Sequence, residues 1–479
     1  METSDISRLR DRTDPGGAAK RLVRSRYLQV IPRSDGFAVY HSLFGNLKLV
    51  DRSVLDILER FGQPRHPEEA DGGVGDTVRA LRDLRYLVEE GTDERDVIEQ
   101  RLREREAALR RGALINALQL DISDACNFKC KYCFADRSDH RSPERRRLLH
   151  YKDKLMSLET AVLAVSTLLQ NCRENGKDRL VVKFFGREPL LNWKVMEALM
   201  DRFGMGQGGV AIRWDCTTNA SLVTEEVARR FKQYQVNTYV SVDSIAEAND
   251  VNRPTKQGEN TFESIDRAIS LLRSHGVTVF ISAVLSSLNF DSFDGRLVDY
   301  ARSRDVDTAI VLLAMQDDYL MCQRTQTTEA IVSKLFQIYD YGRSRGVKIV
   351  GYWHNPLRRL LLSTHRDFFS PKKEDHNSCT ATGFQISVEP SGDIFPCRAQ
   401  SLYLGHITRF KEMLESEAYR YQVMRTYMNV PGCRDCAIEG FCQGDCLGHL
   451  EEKYNDIYTL DPSFCDIYRG ITRRVLERG

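Results

Sequence analysis

The sequence has almost no net charge. Its 69 Lys and Arg against 68 Asp and Glu residues leave a formal charge of +1, so no overall electrostatic attraction to nucleic acid or to a membrane is expected. Long apolar runs are also missing, since no stretch approaches the roughly 20 residues that a membrane-spanning helix needs. The first residues, Met1–Arg8, are charged and lack the apolar core of a signal peptide. We therefore expect a cytoplasmic protein that binds neither nucleic acid nor membrane.

Cysteine, by contrast, is abundant. The chain has 13 cysteines, and because a reducing cytosol disfavours structural disulfides, so many thiols favour metal binding. Three lie within residues 126–133 and seven lie between Cys379 and Cys465. The others stand alone and are predicted to be ordinary buried thiols: Cys172, Cys216 and Cys322. A length of 479 residues exceeds one compact core, so two or three domains are expected.

The middle of the chain, from about residue 115 to 315, alternates between strand-like and helical patterns. Strands are predicted at Leu118–Ser123, Val181–Phe185, Ile212–Thr217, Thr238–Val242, Thr278–Val284 and Thr308–Leu313. Helices are predicted at Ser157–Gln170, Val223–Tyr234 and Phe262–Arg273, the last two with N-cap residues Thr224 and Thr261. Six such repeats predict an α/β fold with a parallel sheet, either doubly wound or an incomplete barrel. In both cases ligands gather at the carboxyl ends of the strands.

Three cysteines directly follow the first predicted strand. Cys126, Cys130 and Cys133 have the spacing C-x3-C-x2-C. Each of the four irons of a 4Fe–4S cube is normally ligated by one thiolate, so three thiolates leave one iron open to a small molecule. A zinc knuckle or three unrelated thiols are the alternatives for a motif of this kind taken alone.

The motif resembles that of radical S-adenosylmethionine (SAM) enzymes. The resemblance implies a partial (β/α)6 barrel and a cluster whose open iron is chelated by the amino and carboxylate groups of SAM. SAM would then be cleaved to a 5′-deoxyadenosyl radical. Further motifs fall at the ends of later strands, in the order that the family has. They imply that SAM is bound by Tyr132, Gly186, Glu188, Asn219, Ser241 and Arg253.

Two of these motifs depart from the family pattern. Phe185-Gly186-Arg187-Glu188-Pro189 resembles Gly-Gly-Glu-Pro, with Arg187 in place of the second glycine. Thr218-Asn219-Ala220 resembles Thr-Asn-Gly, with Ala220 in place of the glycine. Because glycine reaches backbone conformations that other residues avoid, these substitutions put the SAM contact at residue 187 in question.

The C-terminal cysteines form a second pattern. Paired C-x2-C segments are also the spacing of zinc ribbons, but the run C-x2-C-x5-C-x3-C has an intermediate cysteine that zinc ribbons lack. The pattern resembles the SPASM domain, which implies two auxiliary 4Fe–4S clusters and three clusters in all. By this resemblance auxiliary cluster II is bound by Cys433, Cys436, Cys442 and Cys465, and auxiliary cluster I is bound by Cys379, Cys397 and Cys446.

Seven thiols are one fewer than two cubes require. We therefore predict that auxiliary cluster I has an open or unusual corner, filled by a substrate thiolate, Asp375, His376 or Cys322. The residue after Cys397 is Arg398, where anaerobic sulfatase-maturing enzymes have a catalytic aspartate. A guanidinium stays protonated and cannot accept a proton, so formylglycine formation is not expected.

The first hundred residues form a separate module. A hairpin of Tyr27–Pro32 and Phe37–Tyr40 with a turn at 33–36, a strand Asn46–Leu49 and helices at Ser53–Phe61 and Thr77–Leu84 are predicted. This order resembles the winged-helix element that recognises leader peptides, in which the leader adds a strand to a sheet edge. A DNA-binding winged helix or a plain scaffold is the alternative. The predicted domains are 1–93 (recognition module), 94–114 (linker helix), 115–320 (barrel), 321–375 (helical bridge) and 376–479 (SPASM).

Together these features predict a radical SAM oxidoreductase that modifies a ribosomally made precursor peptide carrying a leader. It would abstract hydrogen and form a carbon–carbon, ether or thioether cross-link, with an external low-potential electron donor. The alternatives are a SPASM-type dehydrogenase or mutase acting on a small molecule, and a cluster-binding protein without turnover. Five arginines after the first cysteines are predicted to lie in a solvated loop: Arg137, Arg141, Arg145, Arg146 and Arg147.

Overall fold

The structure is a computed structural model. It describes residues 20–69, 75–133, 135, 155–314, 326–362, 379–442 and 444–478. Within these ranges no helix combines the length and the apolar character needed to cross a membrane.

The N-terminal module contains the predicted hairpin. Its elements are β1 (Leu22–Arg24), β2 (Leu28–Arg33), β3 (Gly36–His41), β4 (Gly45–Val50), α1 (Arg52–Arg60), α2 (Gly75–Asp83), β5 (Leu87–Glu89) and α3 (Asp96–Arg110). Strands β2, β3 and β4 form an antiparallel sheet, and β1 pairs with β5. Arg33 pairs with Gly36, which leaves a two-residue turn. The side chain of Asp51 caps α1 by accepting from Val54 N, which confirms a helix within one residue of the prediction.

This module packs on the C-terminal part of the chain. Arg33 Nη1 donates to Leu476 O at 2.9 Å. Arg95 and Glu439 form a largely buried ion pair at 2.6 Å. At Gly440 a Cβ would lie 2.2 Å from the carbonyl oxygen of Leu43, so the two backbones touch. The N-terminal module is therefore seated directly on the cysteine-rich region.

The centre is a parallel sheet flanked by helices. Its parallel strands and their crossover helices are β6 (Ala117–Ser123), α4 (Leu158–Glu174), β7 (Arg179–Gly186), α5 (Trp193–Phe203), β9 (Val210–Thr218), α6 (Glu225–Gln233), β10 (Asn237–Ser241), α7 (Ala246–Asp250), α8 (Phe262–Ser274), β11 (Val279–Leu285), α9 (Arg296–Ser303) and β12 (Thr308–Leu313). A short strand β8 (Gly206–Gln207) pairs with β9. All six predicted strands are present, with ends that differ by at most two residues.

The strand order decides between the two predicted architectures. The six strands lie side by side in chain order, β6-β7-β9-β10-β11-β12. A doubly wound sheet would reverse its order at one point, whereas this order advances in one direction, as in a barrel. The predicted partial (β/α)6 barrel is therefore confirmed.

The sheet extends beyond the six strands on both sides. Helix α10 (Thr328–Arg345), capped by Thr327, leads to β13 (Lys348–Val350), which pairs with β12, and to α11 (Asn355–Leu362). On the other side β14 (Gln385–Val388) pairs in parallel with β6, followed by β15 (Asp393–Phe395) and β16 (Gly405–His406). The remaining helices are α12 (Phe410–Glu415), α13 (Glu417–Val423), α14 (Glu439–Cys442), α15 (Leu447–Tyr454) and α16 (Pro462–Arg478). The C-terminal region thus continues the sheet of the barrel.

The core lies between the sheet and its helices. Leu118, Leu120 and Ile122 of β6 are fully buried, as the alternation of strand side chains requires. Phe184 and Trp214 stack with ring centroids 5.3 Å apart. Cys172 and Cys216 are 0% exposed within this core, which confirms them as buried thiols, whereas Cys322 lies outside the described residues.

Candidate cluster and SAM site

The loop after β6 carries the first three cysteines and is fixed by backbone hydrogen bonds. Lys129 N donates to Pro254 O and Lys131 N donates to Asn252 O, both at 2.9 Å. Burial raises the pKa of Cys126 to about 11 and that of Cys130 to about 12, and the charge of Cys133 adds to both shifts. The three sulfurs therefore lie near one another, and without a metal Cys126 and Cys130 hold their protons at neutral pH.

A buried carboxyl group lies beside this loop. Glu188 is 0% exposed, and its oxygens accept from Thr218 Oγ1 at 2.6 Å, Asn219 N at 2.8 Å and Leu190 N at 3.0 Å. Burial raises its pKa to about 7. No cation of the described residues lies within ion-pair distance of Glu188. A carboxylate in this setting is stabilised by a cation brought in by a ligand.

The turn before Glu188 explains why an arginine is tolerated at residue 187. The positive φ of this turn lies at Gly186, at 124°, where a Cβ would come within 2.3 Å of Ser123 O. Arg187 is not among the described residues with positive φ, and its side chain donates to Asp124 Oδ1 at 3.3 Å. The turn therefore needs the first glycine of the motif and not the second.

At Ala220, unlike at Arg187, the residue that replaces a motif glycine has a positive φ. Its φ is 60° and it is fully buried, so it occupies a conformation in which a Cβ is strained. The neighbouring Asn219 Nδ2 donates to Asn127 Oδ1 at 2.9 Å and lies 3.9 Å from the sulfur of Cys126. The loop after β9 thus reaches the first cysteine at the cost of local strain.

Asp243, after β10, organises the other side of the site. Its carboxylate accepts from Tyr132 OH at 2.5 Å, Arg253 Nη2 at 3.0 Å and Val284 N at 2.7 Å. The Arg253 guanidinium lies 5.3 Å from the centroid of the Tyr132 ring. Tyr132 and Arg253, which the sequence predicted separately, are thereby held together next to Cys130.

Two buried polar atoms near Asp243 have no hydrogen-bond partner among the described residues: Ser244 Oγ and Arg253 Nε. Ser244 is 0% exposed with a positive φ of 74°. The predicted serine, Ser241, is instead half-buried in β10, opposite Ser282 of β11. Sequence reasoning passed over Ser244, because only the fold reveals which hydroxyl is buried and unsatisfied.

Thr261 is the N-cap residue of α8, as predicted, but its side chain makes no cap hydrogen bond to that helix. Thr261 Oγ1 donates to Arg253 O at 2.6 Å and accepts from Asn249 at 3.1 Å. The hydroxyl therefore fixes the Arg253 loop, while Thr224 caps α6 as predicted by accepting from Val227 N.

The C-terminal thiols fall into two sets. In the first, burial raises the pKa of Cys397 well above its usual value, and Cys379 and Cys446 add to the shift. In the second, burial raises the pKa values of Cys433, Cys442 and Cys465 to about 12, with contributions from one another and from Cys436. As ligand assignments these sets stay predictions.

The comparisons with known proteins agree with this geometry. The model of the radical SAM superfamily matches residues 120–295, and SPASM, an iron–sulfur cluster-binding domain, matches residues 379–437. The chain is a radical SAM protein with a SPASM domain. It binds SAM and iron–sulfur clusters.

Three relatives are informative. The radical SAM cyclopropyl synthase TigE of Paramaledivibacter caminithermalis is 28% identical over 470 residues, which are 96% of this chain and 97% of TigE. A cysteine-type anaerobic sulfatase-maturating enzyme of Clostridium perfringens is 22% identical and covers 72% of this chain and 92% of its own length. Streptococcus suis SuiB, solved with S-adenosylmethionine, has a TM-score of 0.53 at 15% identity over 92% of this chain and 99% of SuiB. SuiB has also been solved with its precursor peptide SuiA.

The residues around the first three thiols fit SAM. Its ammonium group would meet the buried carboxyl of Glu188, and its carboxylate would meet the unsatisfied atoms of Ser244 and Arg253. When bound and reduced at the open iron, SAM would supply a 5′-deoxyadenosyl radical. The other predicted ligands for auxiliary cluster I, Asp375 and His376, lie outside the described residues, as do the five arginines of 137–147.

A row of polar side chains crosses the face of the sheet opposite the helices. In register across four strands it comprises Ser387, Gln119, Lys183 and Asp215. Gln119 Nε2 donates to Ser387 Oγ at 3.1 Å, and Lys183 Nζ donates to Gln385 Oε1 at 2.7 Å. Burial lowers the pKa of Lys183, and both Asp215 and the thiolates of Cys379 and Cys397 oppose this shift. The alternation Gln119-x-Asp121-x-Ser123 was a sequence signal for this row that the motif analysis did not use.

Proposed function

We propose that this radical SAM/SPASM protein modifies a ribosomally synthesised precursor peptide and closes a new bond with loss of two hydrogens. The observation that carries the proposal is the barrel interior itself. Lys183 lies in β7, whose carboxyl end adjoins the loop of the first three thiols through Glu188 N and Ala125 O, and its charge responds to Cys379 and Cys397. A substrate bound beside Lys183 would have a radical source on one side and an electron acceptor on the other.

In this reaction the chain's residues bind and orient. Glu188 holds the ammonium of SAM, and Ser244 with Arg253 holds its carboxylate, while Asp243 keeps Arg253 and Tyr132 in position. Gly186 lets the backbone pass close to Ser123, which brings Glu188 to the cluster loop. The predicted assignment of Asn219 as a SAM ligand remains part of the proposal, whereas Ser244 takes the place of the predicted Ser241 at the SAM carboxylate.

The bond closure balances in two steps. One substrate hydrogen leaves as an atom to the 5′-deoxyadenosyl radical, which becomes 5′-deoxyadenosine. When the carbon radical attacks its partner, the second hydrogen leaves as a proton and an electron. Lys183, whose pKa is lowered by burial, would accept the proton at Nζ in its neutral form. The C-terminal thiols would hold the iron–sulfur group that takes up the electron.

The bond formed is carbon–carbon. The support is the relative TigE, whose name describes a cyclopropyl synthase and which aligns along nearly its whole length. A three-membered carbon ring also requires the loss of two hydrogens. Formylglycine formation is disfavoured, because Arg398 donates to Asp124 Oδ1 at 2.7 Å and to Glu389 Oε1 at 3.0 Å, so the position that bears the base in sulfatase maturases holds a buried cation.

The N-terminal module binds the leader of the peptide at the outer edge of β4, which pairs only with β3 among the strands of the described residues. Leu49, in this strand, is 62% exposed. The opposite edge strand, β2, contains Pro32, which lacks the N–H that strand addition needs. SuiB, which covers this module in its alignment, has been solved with a precursor peptide.

The test is the mass of a peptide encoded beside the gene after anaerobic incubation with the reconstituted protein, SAM and a low-potential reductant. We expect a loss of two hydrogens within one residue or between two carbons. The Cys126→Ala variant, which lacks one cluster thiol, should leave the mass of the peptide unchanged. The control is Cys172→Ala, which removes a buried thiol outside the three sets and should still give the loss of two hydrogens. Abundant 5′-deoxyadenosine with every such peptide unmodified would favour the small-molecule alternative.

A further inference from the structure

Arg425 is a fully buried cation in the C-terminal region. It is 0% exposed and follows α13. Its Nε donates to Ile457 O at 3.0 Å. A guanidinium keeps its charge at any physiological pH, and a buried charge is costly unless it faces an anion.

The guanidinium lies against the segment that joins the two C-terminal sets of thiols. At Gly444 a Cβ would come within 2.4 Å of Arg425 Nη1 and 2.5 Å of Nη2, so only glycine leaves room for the side chain there. Gly444 has a positive φ of 102°. It stands in the three-residue spacer between Cys442, in one set, and Cys446, in the other.

The position of Arg425 relates it to both sets. Gly444, against which the guanidinium packs, is two residues from Cys442 in one set and two residues from Cys446 in the other. Cys433, Cys442, Asp445 and Cys379 all lie close enough for their negative charges to favour the charged guanidinium. The guanidinium therefore lies between the two sets, together with the carboxyl group of Asp445.

We propose that Arg425 is a positioning residue shared by the two auxiliary clusters, whose charge raises the reduction potential of both. The proposal rests on the cluster assignment within the proposed function. Each cluster gains one electron and one negative charge on reduction, and a nearby fixed cation stabilises that form. The electron released at bond closure would thereby be accepted more readily.

The experiment is an anaerobic redox titration of the reconstituted protein, followed by electron paramagnetic resonance, on Arg425→Gln and Arg425→Lys. In Arg425→Gln we expect the equilibrium constant for reducing the auxiliary clusters to fall about tenfold, a shift of about 59 mV to lower potential for a one-electron couple. Arg425→Lys keeps the charge and should stay near the wild type. The SAM cluster should not move in either variant.

Arg420→Gln is the matched control, because Arg420 lies on α13, the helix that precedes Arg425, has a side chain that is 62% exposed and pairs with Glu106. Iron content is measured for every variant. If Arg425→Gln loses iron while Arg425→Lys retains it, the charge is still the decisive property. Unchanged potentials in Arg425→Gln, equal iron loss in both variants, or a wild type with one auxiliary cluster would each overturn the proposal. None of these measurements uses the peptide, so failure of this proposal can be distinguished from failure of the proposed function.

Discussion

The two ends of the barrel interior differ in how their cations are held. Near the thiols of residues 126–133, Arg253 is bound to Asp243 and Arg187 lies 3.3 Å from Asp124. Both cations are therefore neutralised by carboxylates, and the buried Glu188 adds a further acidic group. A cluster in such surroundings has little electrostatic help in accepting an electron.

Near the C-terminal thiols one buried cation, Arg425, donates to the neutral carbonyl of Ile457. A second buried cation, Arg398, is bound to the carboxylates of Asp124 and Glu389. Because the potential of an iron–sulfur cluster depends on the net charge and hydrogen bonds around it, this end favours the reduced form. In the proposed function, this difference would favour the release of an electron at one end of the interior and its uptake at the other.

The largest effect should come from removing one thiol at each end. Cys126→Ala should abolish the formation of 5′-deoxyadenosine, because the SAM cluster is lost, and should keep about two thirds of the iron. Cys397→Ala should still cleave SAM but should form little peptide product. Chromatography of 5′-deoxyadenosine with iron analysis measures both, and SAM cleavage by Cys126→Ala would contradict the division of roles.

Lys183→Met should separate radical formation from bond closure. General-base catalysis contributes about a hundredfold or more, so product formation should fall by that factor while 5′-deoxyadenosine is still made. The exposed Lys256 offers the control Lys256→Met. Equal product yields in the two variants would remove Lys183 from the mechanism.

Glu188→Gln should weaken SAM binding by about tenfold, or ~1.4 kcal/mol, because the ammonium loses its carboxylate. Since the pKa of Glu188 is raised to about 7, wild-type affinity should also rise as pH increases through 7. The same raised pKa means that the folded apo-protein holds a proton that the unfolded chain releases, so its stability should fall between about pH 4.5 and 7.

The pH dependence of SAM affinity can be measured by anaerobic calorimetry, and that of stability by denaturation of the apo-protein at several pH values. Both pH dependences should be weaker in Glu188→Gln. The control is Glu263→Gln, since Glu263 has a side chain that is 93% exposed. An unchanged SAM affinity in Glu188→Gln would show that the ammonium binds elsewhere.

Ser244→Ala and Ser241→Ala compare the structural and the sequence-based assignments of one SAM contact. A hydrogen bond to a charged group is worth about 1.5–3 kcal/mol, so Ser244→Ala should weaken SAM binding roughly tenfold. Ser241→Ala should change it by less than about twofold. The reverse order would restore Ser241 as the ligand.

The smallest effect is expected at Ala220. The left-handed conformation costs a residue with a Cβ about 1–2 kcal/mol, and glycine offsets part of this through its greater freedom when unfolded. Ala220→Gly should therefore stabilise the apo-protein by about 0.5 kcal/mol in chemical denaturation. Ala248→Gly, within α7, should destabilise it, and a loss of stability in both would refute the strain at Ala220.

Much of the fold followed from local pattern. The strand predicted at Thr308–Leu313 has the same bounds in the structure, and the helix predicted from Phe262 ends one residue beyond its expected end. The cap at Thr224 was also predicted correctly, since capping depends on a few adjacent residues. The N-cap position of Thr261 was also predicted correctly, but its hydroxyl bonds to tertiary partners and makes no cap hydrogen bond.

The sequence alone determined the chemistry, because Cys126, Cys130 and Cys133 lie within eight residues and their spacing fixes the site that they can form. Only the tertiary structure decided the strand order, the buried hydroxyl of Ser244 and the interior placement of Lys183. The hydrogen bond from Gln119 to Ser387 joins residues 268 positions apart. Such contacts depend on how the sheet is assembled, and no local pattern encodes them.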